Sequence, residues 1–375
     1  MRADLRADDY PGGLAPEAAH AYTAPMPQAT PKPTAVYAMT RQGAALGARI
    51  AEALGGELHV PARMLEDGAA AGVRSSGFDS LPALVADLFH EFRAHVFVAA
   101  AGIAVRCIAP HLARKDADPA VLVLDQEGRF VISLLSGHLG GANALAREVA
   151  ALIGAEAVIT TATDTAGLPS LDLMARDAGL AIGNLEAVRR VNAALLEGGR
   201  VQVHDPRGRL GTDGDERFLP VRGPEDWDHE APGVWVDWLA TAPGRGELRL
   251  YPRVLHVGVG CRRGAPAGEI EALVRAALGA RGLAPEAVAG LASIEAKRGE
   301  PGISEAAAAL GVAVRYFSAE ELDSVAGASP SETVRRHMGV GSVCEAAAIL
   351  ASGGGSLVVK KTKTERATCA VAASS

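Results

Sequence analysis

Short apolar runs alternate with segments of helical periodicity along most of this chain, and that alternation restricts it to layered α/β architectures. Thr34–Met39 reads as a strand, and Gln42–Leu54 as a helix with Leu46, Ile50 and Leu54 on one face. Helix Leu81–Phe92 and buried strand His95–Ala100 repeat the pair. Val121–Asp125 and Arg129–Leu135, separated by Gln126-Glu127-Gly128, read as a hairpin. The Ser136–Gly141 turn leads into a helix striped by Leu139, Ala142, Leu145, Val149 and Leu152, and Val158–Thr161 returns as a strand.

A second alternation opens at Val254. It runs through strand Val254–Val259, helix Glu269–Leu278, strand Val288–Ile294, helix Ile303–Leu310, strand Val312–Phe317, a helix near Ser342–Ala351 and a final strand Leu357–Lys361. Ser318 and Glu321 have the spacing of a capping box. Between the two alternations the pattern weakens to a helix near Glu186–Leu196 and a loop-like stretch over 204–233. The expected fold is α/β: two α/β domains with largely parallel sheets, 34–165 and 251–375, flanking a smaller middle α/β module, 166–250. The Pro- and charge-rich segment 1–33 reads as a disordered tail.

Composition narrows the partners. Aromatic residues are only 4% of a chain that is 49% hydrophobic, so the cores must be built from Ala, Val, Leu and Ile. A net charge of −7 argues against a nucleic-acid backbone as the main partner. It leaves room for a small anionic ligand in a locally basic pocket. Cys107, Cys261, Cys344 and Cys369 form no CxxC pair, which argues against a zinc ribbon or a redox motif and fits a reducing cytoplasm. No apolar run approaches the ~20 residues that span a bilayer, and Arg2, Asp4, Arg6, Asp8 and Asp9 are unlike a secretory signal.

Ligands of α/β sheets collect at loops after strand ends, and four such loops carry chemistry here. In the first, Gly102 permits close backbone approach and Arg106 can fork onto a carboxylate, unless Arg106 is a surface residue at a helix start. The second, Ser136-Gly137-His138-Leu139-Gly140-Gly141-Ala142-Asn143, offers amides at a helix N-terminus to an anion and an imidazole as general base. That N-terminus is expected to lower the pKa of His138 and keep the ring neutral. The alternative is a capping serine with a turn histidine. The surrounding residues lack the GxSxG of a nucleophile elbow. The third gathers Thr160, Thr161, Thr163 and Asp164 at a strand end, or else is a β-prone run with an aspartate cap.

The fourth, Gly258–Gly264, has the spacing G-x-G-x-x-x-G, which is not a dinucleotide fingerprint. Its Arg262 and Arg263, beside the backbone of Gly260 and Cys261, suit carboxylates better. Lys360 and Lys361, with Glu295 and Lys297, read either as the rim of the same site or as solvated strand ends.

These motifs together resemble one family. Gly102-Ile-Ala-Val-Arg106, Lys115, Asp118-Pro119-Ala120, Ile132 to Asn143 with its SGHLGGAN run, and Ile159-Thr-Thr-Ala-Thr-Asp164 are similar to the amino-terminal domain of cobalt-precorrin-5A hydrolases. Gly258-Val-Gly-Cys-Arg-Arg-Gly264, Ser293-Ile-Glu-Ala-Lys297, Phe317 to Leu322 and Glu345-Ala-Ala-Ala348 resemble that family's carboxy-terminal domain, which is also similar to a stand-alone protein of the aerobic pathway.

The resemblance implies a reaction of anaerobic cobalamin biosynthesis. Water opens the lactone of cobalt-precorrin-5A, and a carbon with its methyl group leaves as acetaldehyde to give cobalt-precorrin-5B. The cobalt belongs to the substrate, so no cofactor and no protein-bound metal are expected.

On this reading His138, Asp164 and Ser136 are the catalytic candidates, with the amides of 137–141 stabilising an oxyanion. Gly102, Arg106, Lys115, Gly137, Gly140, Gly141, Asn143, Thr160, Thr161, Thr163, Gly260, Cys261, Arg262, Arg263, Glu295, Lys297, Lys360 and Lys361 are the substrate-binding candidates. The expected partners are the cobalt-precorrin itself and neighbouring enzymes of the pathway, with neither nucleic acid nor membrane. The competing expectation is a non-catalytic tetrapyrrole carrier of the same pathway.

Overall fold

A computed structural model describes residues 32–66, 72–114, 117–240, 246–325 and 343–374. The expected tail falls outside the described residues as far as Pro31; Lys32 and Pro33 already belong to the first strand, where Lys32 pairs with Phe92.

The N-terminal unit runs β1 (Lys32–Ala38), α1 (Arg41–Ala53), β2 (Glu57–Pro61), α2 (Ala62–Glu66), β3 (Ser75–Phe78), α3 (Leu81–Leu88), β4 (Phe92–Val98), α4 (Ala101–Ile108), β5 (Ala120–Leu124), β6 (Phe130–Leu135), α5 (Ala142–Ile153), β7 (Glu156–Val158) and α6 (Ala162–Thr165). Its strands form one sheet in the order β3-β2-β1-β4-β5-β6-β7. Helices cover both faces, so its central strands are apolar on both sides. Val36, Ala38, Val96, Val98, Leu122 and Leu124 pack with residues of α1 and α5. Their neighbours Ala35, Tyr37, Phe97, Val121 and Val123 pack with residues of α3 and α4. This is the period of two that sends successive side chains to opposite faces.

Two strands run against the rest of the N-terminal sheet. β6 is antiparallel to β5, with Val121 opposite Leu135 and Leu124 opposite Val131, and β7 is parallel to β6. The carboxyl ends of β6 and β7 therefore emerge at the edge where β1, β4 and β5 begin. The loops after β1, β4 and β5 lie at the other edge.

The middle unit contains α7 (Leu171–Asp177), β8 (Leu180–Ile182), α8 (Leu185–Leu196), β9 (Val201–His204), β10 (Phe218–Pro220), β11 (Gly233–Val236) and β12 (Leu248–Pro252). Its sheet order is β10-β9-β11-β12-β8, antiparallel only between β12 and β8. The sequence reading left 204–233 without strands. Phe218–Pro220 pairs with β9 through three residues only, too short a run to show a period.

The C-terminal unit runs β13 (Leu255–Cys261), α9 (Ala267–Gly279), β14 (Val288–Ile294), α10 (Pro301–Ala309), β15 (Ala313–Phe317), α11 (Ala319–Asp323), α12 (Val343–Ala351), β16 (Ser356–Lys363) and β17 (Ala367–Ala373). The sheet order is β15-β14-β13-β17-β16. The capping box of Ser318 and Glu321 is formed. The expected final strand, however, is not the last. Ala367–Ala373 continues as β17, antiparallel between β13 and β16. Its alanines have little strand preference of their own; burial between β13 and β16 decides their state. Small residues suit this place because α12 packs very closely on β13: a Cβ on Gly258 would lie 1.8 Å from the carbonyl oxygen of Cys344.

The N-terminal core contains a buried polar pair. The Tyr37 hydroxyl lies 3.0 Å from His95 Nδ1, and His95 Nε2 lies 3.0 Å from the Phe89 carbonyl. A neutral ring satisfies both contacts, donating from Nε2 and accepting at Nδ1. Burial holds the His95 pKa down at about 4, against the opposing pull of the Phe89 carbonyl. The unfolded chain takes up this proton near the ordinary value of 6.5 and the folded chain only near 4. Between those values the unfolded state binds more protons, so stability falls as pH drops from 6.5 towards 4. Chemical denaturation at a series of pH values should show this slope, flattened in His95→Gln; an equal slope in the variant would contradict it.

Candidate active site

The turn after β6 is held by its backbone. Ser136 has φ 57°, the one positive φ of a non-glycine residue among those described. Such a conformation costs about 1–3 kcal/mol and persists where the surroundings impose it. Here the Ala142 amide donates to the Ser136 carbonyl at 3.1 Å, that of Asn143 to Gly137 at 2.9 Å and that of Gly141 to His138 at 2.9 Å. The glycines are steric requirements. A Cβ on Gly140 would lie 2.3 Å from the Ser136 Cβ, and one on Gly137 would lie 2.7 Å from Asn143 Oδ1. The Ser136 Oγ is buried and has no hydrogen-bond partner.

This geometry narrows one expectation. Within 137–141 the Gly141 amide is occupied by the His138 carbonyl, and the next two amides of α5, Ala142 and Asn143, are occupied by the turn's own carbonyls, so these three are not presented to an anion. A correction concerns Thr160–Asp164. β7 stops at Val158, and Thr161 occupies the N-cap position of the short α6. Thr160 is exposed, whereas Thr163 is buried.

His138 stands between two carboxylates. Its Nε2 is 3.0 Å from Asp164 Oδ2 and 3.1 Å from Thr163 Oγ1. Its Nδ1 is 3.4 Å from Asp172 Oδ2 and 3.3 Å from Ser170 Oγ, and both of those residues belong to the middle unit. Asp164 also accepts from Thr161 Oγ1 at 2.8 Å, Asn143 Nδ2 at 2.9 Å and Arg147 at 2.5 Å. Asn143 is held in turn by Ser133, whose hydroxyl donates to Oδ1 at 2.7 Å. On the far side Ser170 donates to Asp172, and Asn192 of α8 donates to Ser170 at 3.2 Å. Leu139 packs into the core of the middle unit, and Arg176 donates to the His138 carbonyl at 3.4 Å.

The electrostatics follow from the contacts. Asp172, and after it Asp164, raise the His138 pKa above its ordinary value against the opposing effect of burial. Burial pushes Asp164 up, but Arg147, Thr161 and His138 override it and hold its pKa at about 2. Asp172 is likewise held low by His138 and Ser170 despite its burial. The expected lowering of the His138 pKa is therefore reversed. Two full negative charges within hydrogen-bond reach outweigh the partial charge of a helix end whose first amides are already bonded.

The C-terminal sheet gathers the other candidates at one edge. Cys261, at the end of β13, lies opposite Ala367, at the start of β17, and Ile294, at the end of β14, leads to Glu295 and Lys297. Gly260 and Cys261 close β13, and the Arg262 amide donates to the Arg366 carbonyl at 2.8 Å. Arg263 and Lys360 are exposed, and Lys361 is half-buried. Several charges have partners within the edge. Arg262 is 3.7 Å from Glu365, Lys297 is 3.2 Å from Glu300, and Glu295 is 3.6 Å from Arg298. Burial raises the Cys261 thiol pKa, against the pull of Lys297, which suits a packing residue better than a nucleophile.

Gly102 and Arg106 do not join His138. They lie on α4, after β4, at the opposite edge of the N-terminal sheet, and Arg106 donates to the Gly102 carbonyl of its own helix at 2.9 Å. Beside them, where the strand order reverses between β1 and β4, is a cleft of about 390 Å³ lined by Met39, Thr40, Val98, Ile103, Val123 and Gln126 among others. Lys115 lies outside the described residues. Among the described residues no group of three His, Cys, Asp or Glu is placed to hold a metal ion.

Family models match three successive segments: Cobalamin synthesis G N-terminal over 83–164, Cobalamin biosynthesis central region over 169–252 and Cobalamin synthesis G C-terminus over 255–372. The cobalt-precorrin-5A hydrolase of Salmonella typhimurium is 35% identical over 342 residues, spanning 86% of this chain and 93% of that protein. The chain belongs to the cobalamin synthesis G family.

The cobalt-precorrin-5A hydrolase of Priestia megaterium is 34% identical over 305 residues, 78% of this chain and 82% of its own. A solved structure of a putative cobalamin biosynthesis protein G homologue from Sulfolobus solfataricus is 22% identical, with a TM-score of 0.34 over 91% of this chain and 97% of that one. The family matches place the His138 contacts in two segments: Asp164 ends the first, and Ser170 and Asp172 open the second.

Sequence reasoning missed Asp172, Ser170, Asn192 and Arg147. Ser170-Leu171-Asp172 looks like the start of any helix, and nothing local signals a contact with a ring 34 residues away. Arg147 lies four residues after Asn143 on α5, so one helical turn aims both at Asp164, a periodicity the sequence does offer. Gly140→Ala should destabilise the folded chain by about 1–3 kcal/mol through overpacking against Ser136. An unchanged denaturation midpoint would show that the turn can relax.

Proposed function

We propose that this chain is a cytoplasmic hydrolase of cobalt-precorrin-5A, with its chemistry at His138. Two relatives that match most of its length bear that enzyme's name. The observation that carries the reading is the imidazole held between Asp164 and Asp172, a proton donor beside a strained turn.

Water supplies the oxygen that bonds to the lactone acyl carbon, and the acyl–oxygen bond of the ring breaks. The His138 proton goes to the departing oxygen, and the neutral imidazole recovers the proton that the water sheds. The product carries a carboxyl group and a hydroxyl group. The carbon bearing that hydroxyl and a methyl group then leaves as acetaldehyde. Its hydroxyl proton is lost, the carbon–carbon bond breaks, and its electron pair is protonated on the macrocycle. The cobalt travels with the substrate. Arg262, Arg263, Lys360 and Lys361, on the C-terminal edge, hold peripheral carboxylates.

His138→Gln should lower acetaldehyde release by about 10²–10⁴-fold in a chain that remains folded. Wild-type release by the folded variant would assign the ring a structural role and move the chemistry elsewhere. Wild-type protein that binds the cobalt-precorrin and releases no acetaldehyde would be a carrier. Arg262→Ala should raise KM about tenfold and leave kcat nearly unchanged, as expected for a lost charge-assisted contact of about 1.5 kcal/mol. A fall in kcat at constant KM would bring that edge into the chemistry.

A further inference from the structure

We propose that Asp172 is a positioning residue for His138: the middle unit supplies a buried carboxylate that orients the ring and keeps a proton on it. The inference rests on His138 as the acid of the proposed reaction.

The geometry is specific. Asp172 is only 6% exposed, yet among the described residues it is not paired with a cation of its own unit; its Oδ2 faces His138 Nδ1 at 3.4 Å. Ser170 Oγ lies 3.3 Å from the same nitrogen and donates to the other Asp172 oxygen. Asn192 fixes that hydroxyl from α8, at 3.2 Å, and its own Oδ1 accepts from the Leu171 amide at 3.0 Å. The support reaches the carboxylate from Ser170, two residues before it, and from Asn192 on a second helix, which a surface contact between units does not require.

The charged groups facing the ring come from three helices. They are Asp164 on α6, with Arg147 of α5 behind it, and Asp172 and Arg176 on α7. Arg176 reaches the His138 carbonyl, not the ring, and is also paired with Asp177 at 2.8 Å. Along the line Arg147, Asp164, His138, Asp172 the signs alternate, and the four groups sum to neutrality only with His138 protonated. A neutral ring would leave Asp172 as a buried anion facing no cation, a costly arrangement. Because one ring nitrogen is engaged by each unit, rotation of the ring breaks a contact on both sides.

The test is an NMR titration of the His138 imidazole in the full chain, with its resonances identified by their absence from His138→Gln. In wild type the midpoint should lie above 6.5. In Asp172→Asn it should fall by at least one pH unit, a tenfold loss of proton affinity, and Asp172→Glu should recover part of it. The high-pH limb of the kcat profile should move down with the midpoint.

A wild-type midpoint at or below 6.5, or one unmoved in Asp172→Asn, overturns the proposal; the wild-type arm stands even where the variant fails to fold. A midpoint that moves while the rate limb stays fixed upholds Asp172 as the residue that sets the ring. It overturns instead the reading of His138 as the acid.

Discussion

The imidazole of His138, held between carboxylates from two structural units, is the contact on which the rest of the arrangement depends. Each group in it is expensive to bury alone. Together they satisfy one another: Asp164 accepts from Arg147, Thr161, Asn143 and His138, and Asp172 from Ser170 and His138. The same contact therefore sets the protonation of the ring and ties the turn after β6 to the middle unit. His138 has its raised pKa only in the folded chain, so its contribution to stability is complete below the ordinary value of 6.5 and is lost as pH rises through the raised one. Asp164 acts in the opposite sense: its contribution is complete above the ordinary 3.8 and is lost as pH falls through about 2.

The reversal of direction at β6, which β7 follows, decides what can meet at this place. Were β6 parallel to β5, its turn would open beside α4 and the cleft between β1 and β4. Because it runs back, His138 and Asp164 lie at the edge where β1, β4 and β5 begin. Gly102 and Arg106 are left on the far edge, beside an apolar cleft at the point where strand order reverses, where α/β sheets commonly take ligands.

Much of this was legible in the sequence, and the failures have physical causes. The alternation of strands and helices, the β5–β6 hairpin and the capping box at Ser318 are local patterns, and they are formed. The chemistry of His138 and Asp164 could be nominated from residue types beside a glycine-rich turn. The state of the ring could not. Its decisive partner, Asp172, approaches through the packing of one unit against another, and no spacing encodes that. Ser136 was noticed for its hydroxyl, whereas its distinguishing property is the backbone conformation that Gly140 and Gly137 make possible. β17 was missed because an alanine-rich run states no preference until a sheet surrounds it.

The most direct measurement is a crystal structure of the chain with the lactone-opened cobalt-precorrin bound. The account predicts the newly formed hydroxyl or carboxyl group within hydrogen-bond reach of His138, with peripheral carboxylates on Arg262, Arg263 or the Lys360–Lys361 pair. A macrocycle seated instead in the cleft between β1 and β4, with no reacting atom near His138, would contradict it.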